Sequence, residues 1–154
     1  MQIVLYEPEI PPNTGNIARL CAATLTPLHL IQPLGFSMDD KYLRRAGLDY
    51  WEHVQVHVWP DWAAFLQGRG PERLVFTSAR KGALHHRFAF QPTDWLVFGP
   101  ETRGLPEDLL GQGEFCVRVP IWGRVRSLNL STCAGIVLYE AMRQGGLLPE
   151  DSST

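Results

Sequence analysis

Trp95-Leu96-Val97-Phe98-Gly99-Pro100-Glu101-Thr102-Arg103-Gly104 is the stretch that decides the fold. Four consecutive apolar residues suit a strand buried on both faces, as in a parallel sheet covered by helices. Gly99 and Gly104 then bracket a loop that packs a carboxylate, a hydroxyl and a guanidinium into three positions. Small residues let backbone approach a ligand and open conformations closed to other residues. A buried strand ending in such a loop is where open α/β sheets hold their ligands.

Outward from it, strand and helix patterns alternate. Strands are expected at Gln2 to Tyr6, Leu28 to Ile31, Val54 to Trp59, Arg73 to Thr77, Asp94 to Phe98 and Phe115 to Val119. Between them, Asn13 to Thr24 predicts a helix with Ile17, Leu20 and Cys21 on one stripe. Ser37 predicts an N-cap, with Asp39 and Asp40 in the first turn, for a helix ending near Gly47. Pro60-Asp61 opens a short helix through Leu66, and Pro106 suits the first turn of another. The last helix, Ser131 to Gln144, repeats Ala134, Val137, Leu138 and Ala141 at helical spacing and stops at Gly145-Gly146. The expected fold class is α/β, a mostly parallel sheet flanked by helices. Residues 1–148 are expected to form one domain and 149–154 a flexible tail.

The chain has 154 residues, 45% of them hydrophobic and 19% charged, as in ordinary globular proteins. No apolar run approaches the roughly 20 residues of a membrane span. The N-terminus has neither a basic leader nor a small-residue cleavage site, so export is not expected. Cys21, Cys116 and Cys133 are odd in number and lie in apolar stretches, which fits a reduced, cytoplasmic protein. His53 and His57 share strand spacing but find no third ligand, so no metal site is expected. The net charge of −2 argues against an all-over basic surface, yet local patches remain. These are Lys41 with Arg44 and Arg45, and Arg80-Lys81 followed by His85, His86 and Arg87.

Two further polar islands stand beside strand ends. Glu7-Pro8-Glu9-Ile10-Pro11-Pro12-Asn13-Thr14-Gly15-Asn16-Ile17-Ala18-Arg19 follows the first strand. Pro120-Ile121-Trp122-Gly123-Arg124-Val125-Arg126-Ser127-Leu128-Asn129-Leu130-Ser131 follows the sixth. Helix capping accounts for one or two of the polar residues in the latter. A ligand held by amides and hydroxyls accounts for all of them with both arginines. Neither a dinucleotide fingerprint, a phosphate-binding P-loop nor a nucleophile elbow is present.

In this order and spacing the islands resemble the SPOUT class of RNA methyltransferases. The likeness is to its small single-domain tRNA 2′-O-methyltransferases, the TrmL-like family. It is carried by Asn13-Thr14-Gly15-Asn16-Ile17-Ala18-Arg19, Phe98-Gly99-Pro100-Glu101-Thr102-Arg103-Gly104-Leu105-Pro106 and Arg126-Ser127-Leu128-Asn129-Leu130-Ser131. It extends to Ile3 through Pro11 and to Leu43-Arg44-Arg45-Ala46-Gly47-Leu48-Asp49-Tyr50. The resemblance implies a C-terminal trefoil knot, which pattern reasoning excludes by default. It also implies S-adenosylmethionine as cofactor, tRNA as substrate and a homodimer with RNA across both subunits.

Carried over by position, cofactor contacts fall on Thr77, Gly99, Glu101, Gly104, Val119, Ile121, Ser127, Leu128 and Asn129. Catalytic roles fall on Arg19, Arg126 and Ser131. Candidate RNA contacts are Lys41, Arg44, Arg45, Arg80, Lys81 and Arg124. The expected reaction is 2′-O-methylation of the wobble cytidine or modified uridine, in a leucine tRNA. Guanidinium groups stay charged in proteins, so Arg19 is expected to position a phosphate and stabilise the alkoxide rather than act as base. The chain departs from the family at Leu25, around Arg80-Lys81 and at Trp122 to Val125. Two rivals are a non-catalytic RNA-binding or assembly factor on this fold and a ribosomal RNA 2′-O-methyltransferase. Because the chain begins directly at strand one, with no added RNA-binding domain, tRNA is favoured.

Overall fold

The computed structural model describes residues 1–39 and 50–150. Its elements run β1 (Gln2–Tyr6), α1 (Pro11–Thr24), β2 (Leu28–Ile31), β3 (Val56–Trp59), α2 (Trp62–Gly68), β4 (Leu74–Thr77) and β5 (Ala83–Leu84). They continue as β6 (Trp95–Phe98), α3 (Glu107–Gln112), β7 (Phe115–Arg118) and α4 (Leu130–Gln144). The strands form one sheet in the order β3-β2-β1-β6-β4-β7-β5, and every pairing among the described residues is parallel.

Alternation along each strand sorts side chains between two cores. Ile3, Leu5, Leu28, Leu30, Val75, Leu96 and Phe98 face α1 and α4, meeting Ile17, Cys21, Val137 and Leu138. Val4, Ile31, Phe76, Trp95 and Val97 face α2 and α3 with Phe65 and Leu105. All four residues of β6 are buried, as its unbroken apolar run predicts. Each fully buried large side chain contributes about 1.5–3 kcal/mol.

Several boundaries differ from expectation, each for a local reason. Pro11 and Pro12 start α1 two residues before Asn13, since proline lacks the N–H that a first turn leaves unused. Asp61 Oδ1 accepts from the Ala64 amide at 2.8 Å, so α2 begins after it. Trp51–His53 forms a 3-10 turn that delays β3 to Val56. Pro106 precedes α3 rather than opening it, and β7 ends at Arg118, which puts Val119 in the following loop. Strand β5 has no counterpart among the expected strands, because two residues carry no periodic signal. Gly82 leads into it at φ 91, where a Cβ would lie 2.3 Å from the Cys116 carbonyl oxygen. Ser37 Oγ accepts from the Asp39 amide at 3.2 Å; the rest of the helix expected there lies outside the described residues.

Polar order at the amino ends of the strands is tight. Arg73 donates Nε to Asp94 Oδ1 at 2.8 Å and Nη2 to Oδ2 at 2.7 Å, while the Gln91 amide donates to Oδ2 at 2.8 Å. Asp94 is 0% exposed. The strand order turns at β1: β2 and β3 extend one way, β6 and β4 the other. Crevices at the carboxyl ends of strands open at such a reversal.

Candidate functional site

Leu5 pairs with Phe98, so the loops after β1 and β6 leave neighbouring strands at the same level. Glu101 reaches across the gap. Its carboxylate accepts from the Glu9 amide at 2.8 Å, the Ile10 amide at 3.1 Å and Asn13 Nδ2 at 3.2 Å. Ile10 precedes α1 and supplies no side-chain cap, so Glu101 places an acceptor and a negative charge at that helix start. Glu9 answers by accepting from the Thr102 amide at 3.0 Å and hydroxyl at 2.7 Å. Those two bonds hold its carboxyl below the usual carboxylate range. Arg103 is ion-paired with Glu7.

The third island joins through Asn13. Its Oδ1 accepts from Asn129 Nδ2 at 2.9 Å. Asn129 Oδ1 in turn accepts from the Ser131 amide at 2.9 Å, the Ser131 hydroxyl at 2.7 Å and the Thr132 amide at 3.4 Å. One unbroken path, Glu101–Asn13–Asn129–Ser131, therefore ties all three islands together.

Beside this path lies an open cleft of about 680 Å³. Thr77, Gly99, Glu101, Gly104, Val119, Ile121, Arg126, Ser127, Leu128 and Asn129 line it, as do Arg80 and Lys81. Lys81 is ion-paired with Glu107. Thr77 directs its hydroxyl away, donating to the Val97 carbonyl at 2.9 Å. Gly99 is needed by the loop itself, since a Cβ would lie 2.3 Å from the Leu105 nitrogen. Gly104, at φ 70, has nothing within 4 Å of a built Cβ. Burial pushes the Cys133 thiol up to about 11, so it lines the cleft as a neutral, apolar group.

Three expected site residues stand elsewhere. Ser131 sits behind Asn129, one hydrogen bond from the cleft wall. Arg124 is exposed on the loop after β7 without being part of the lining. Arg19 projects from α1, where Nη2 donates to the Tyr50 hydroxyl at 2.9 Å and the guanidinium lies 4.6 Å from the ring centre. It borders a separate hollow with Ala22, Ala23, Leu25 and His53. Lys41, Arg44 and Arg45 lie outside the described residues. Among the described residues no group of three metal-ligating side chains gathers. Sequence reasoning missed Asn13, whose amide joins the islands. It stands inside the first turn of α1 with both ends of its side chain bonded.

A parallel sheet with three cross-linked loops around a cleft beside its strand-order reversal defines an α/β protein built to hold a small, partly apolar ligand. Residues 1–139 match the SpoU rRNA Methylase family, and the chain belongs to it. It is 53% identical over 148 residues to the tRNA (cytidine(34)-2'-O)-methyltransferase of Saccharophagus degradans, covering 94% of this chain and 95% of that one. Its likeness to the enzyme of the same name from Escherichia coli strain K12 is 51% over 148 residues, covering 95% and 94%. A solved structure concerned with the 2-OH methylation of C/U34 on tRNA superposes with a TM-score of 0.90 at 48% identity, covering 93% and 94%.

Proposed function

We propose that this chain transfers a methyl group from S-adenosylmethionine to the ribose 2′-hydroxyl of the wobble nucleotide of tRNA. The nucleotide is a cytidine or modified uridine, and the substrate a leucine tRNA. The observation that carries this is the Glu101–Asn13–Asn129 path, which fixes three loops around a single cleft in a chain about half identical to wobble methyltransferases.

The residues present fit the cofactor. A cleft of about 680 Å³ lies within the roughly 300–1,000 Å³ of small-molecule sites. Val119, Ile121, Leu128 and Leu105 supply apolar walls for a purine ring, and the loop backbones supply polar edges. When bound, S-adenosylmethionine supplies a methyl already activated by sulfonium charge. The protein's part is then positioning, worth on the order of 7–11 kcal/mol when the reacting atoms are held in line. Glu101 and Asn129 fix the loops; Arg126, on the lining, receives the nucleotide. Ser131 steadies the Asn129 cap.

The proposed unit is a homodimer, cytoplasmic, in which Arg19 serves the cleft of the other subunit as phosphate anchor and alkoxide stabiliser. The exposed apolar side chains Leu25 at 88%, Tyr139 at 49% and Ile136 at 36% on the α1–α4 layer support this. Residues 1–148 form one domain on this proposal, with the return from β7 to α4 threaded as a trefoil knot. Among the described residues no helix is long and apolar enough to cross a membrane.

Nucleoside mass spectrometry of tRNA and rRNA treated with the purified protein and S-adenosylmethionine tests the activity. A 2′-O-methylated nucleoside at position 34 of tRNA is expected. Methylation of rRNA alone assigns the chain to ribosomal substrates, and methylation of neither overturns the proposal. Sedimentation velocity at micromolar concentration tests the dimer.

A further inference from the structure

Trp122 is 92% exposed and Val125 63% exposed. Both sit on the loop between β7 and α4, whose Ile121, Arg126, Ser127 and Leu128 line the cleft. A Cβ built on Gly123 between them would meet nothing within 4 Å, so the backbone of this loop is open to approach. Among the described residues nothing covers this large apolar ring. Arg124 and Arg126 follow it two and four residues on, and neither makes an ion pair among the described residues. Arg80, also without an ion pair, faces the same cleft from the loop after β4. The rim therefore combines a flat aromatic face with unneutralised guanidinium groups.

Unpaired nucleic-acid bases stack on aromatic side chains while guanidinium groups take the adjoining phosphates. A protein partner would ask for a broad continuous apolar patch, whereas Trp122 and Val125 are the two exposed large apolar side chains of a loop that also carries Arg124 and Arg126. We infer that Trp122 is a stacking platform for an unpaired RNA base next to the methylated ribose, with Arg124 holding the neighbouring phosphate. The inference rests on the proposed RNA-methylating function and adds a residue that positions its substrate. A single-stranded loop is the class of RNA it fits, since bases inside a duplex are already stacked.

The test uses the full-length chain and a fluorescein-labelled anticodon stem-loop RNA. Trp122→Ala is expected to weaken RNA binding about tenfold and to raise KM for RNA with little change in kcat. Trp122→Phe should restore most of the affinity, and calorimetry should show unchanged S-adenosylmethionine binding in both. Trp51, Trp59, Trp62 and Trp95 are partly or fully buried, so RNA should quench intrinsic fluorescence in the native chain and much less in Trp122→Phe. Arg124→Ala should lower the salt dependence of binding by about 0.7 in log–log slope. Native methylation of tRNA with Trp122→Ala equal to it in RNA affinity and KM overturns this inference alone. So does a change in sedimentation on Trp122→Ala, which assigns the indole to a second copy of the chain. Failure of the native chain to bind any RNA overturns it together with the proposed function.

Discussion

The two ends of the same parallel strands carry carboxylates used in opposite ways. At the amino ends, Asp94 is sealed from water and accepts from Nε and Nη2 of Arg73, a partner 21 residues away, together with an amide three residues away. At the carboxyl ends, Glu101 borders an open cleft and takes three donors 88 to 92 residues away. Asp94 closes its end of the sheet, and losing its partner would strand a buried charge. Glu101 joins two loops that the sheet alone leaves apart. Similar hydrogen bonds thus serve stability where water is excluded and positioning where a ligand must enter.

Asp94→Ala should give the largest effect. Leaving Arg73 half-buried without its anion costs about 3–5 kcal/mol, seen as a melting temperature lower by about 10 °C. S-adenosylmethionine affinity measured well below that melting point should hardly change. Unchanged melting with lost cofactor binding would reverse the roles assigned to the two ends.

Glu101→Ala comes next and should show the mirror image. The Glu9 and Ile10 amides lose their acceptor, the β1 and β6 loops separate, and kcat/KM falls about 100-fold, the scale of a 1 Å misplacement. Its melting temperature should drop by less than that of Asp94→Ala. The comparison breaks if the two variants lose equal stability and Glu101→Ala keeps native turnover.

How much of this was legible in the sequence follows the same division. The buried run Trp95–Phe98 and the largely apolar stretches of β1, β2 and β4 carry their own signal, because burial on two faces dictates residue type. The three islands were also visible, since polar clusters beside strand ends have few structural uses. Their connections were not: Asn13 bonding Asn129 spans 116 residues, and no local pattern encodes such a pairing. From the sequence Gly99 reads as room for a ligand, yet the space belongs to Leu105 of its own loop. Arg19 was placed by resemblance, while its local partner Tyr50 depends on how the chain returns from β2.

A smaller effect should appear with pH where β1, β2 and β3 meet. Trp59 Nε1 only donates, so His29 Nδ1 accepts it at 3.0 Å and Nε2–H donates to Gln2 Oε1 at 2.6 Å. Burial, then the stacked His57, pushes the His29 pKa down to about 4. The folded state therefore keeps His29 neutral where the unfolded chain, near 6.5, takes up a proton. Stability from this site is complete above about pH 6.5 and is lost as pH falls toward 4, on the order of 2 kcal/mol. Urea unfolding at pH 7.5, 5.5 and 4.5 should show the decline, flattened in His29→Gln. An equal slope in the variant would remove His29 as its source.

Ser131→Ala should have the smallest effect and most sharply separates positioning from chemistry at the cleft. The hydroxyl donates to Asn129 Oδ1, which still receives the Ser131 and Thr132 amides when it is removed. One net hydrogen bond contributes about 0.5–1.5 kcal/mol, and an acceptor that keeps two donors should lose the lower part of that range. Stability should fall by about 0.5 kcal/mol, and kcat should drop only a few-fold. Asn129→Ala, by contrast, removes the α4 cap and the tie to Asn13 together. A loss of kcat in Ser131→Ala as large as in Glu101→Ala, with KM unchanged, would instead put the hydroxyl in contact with the reacting nucleotide and move Ser131 from the wall of the site into its chemistry.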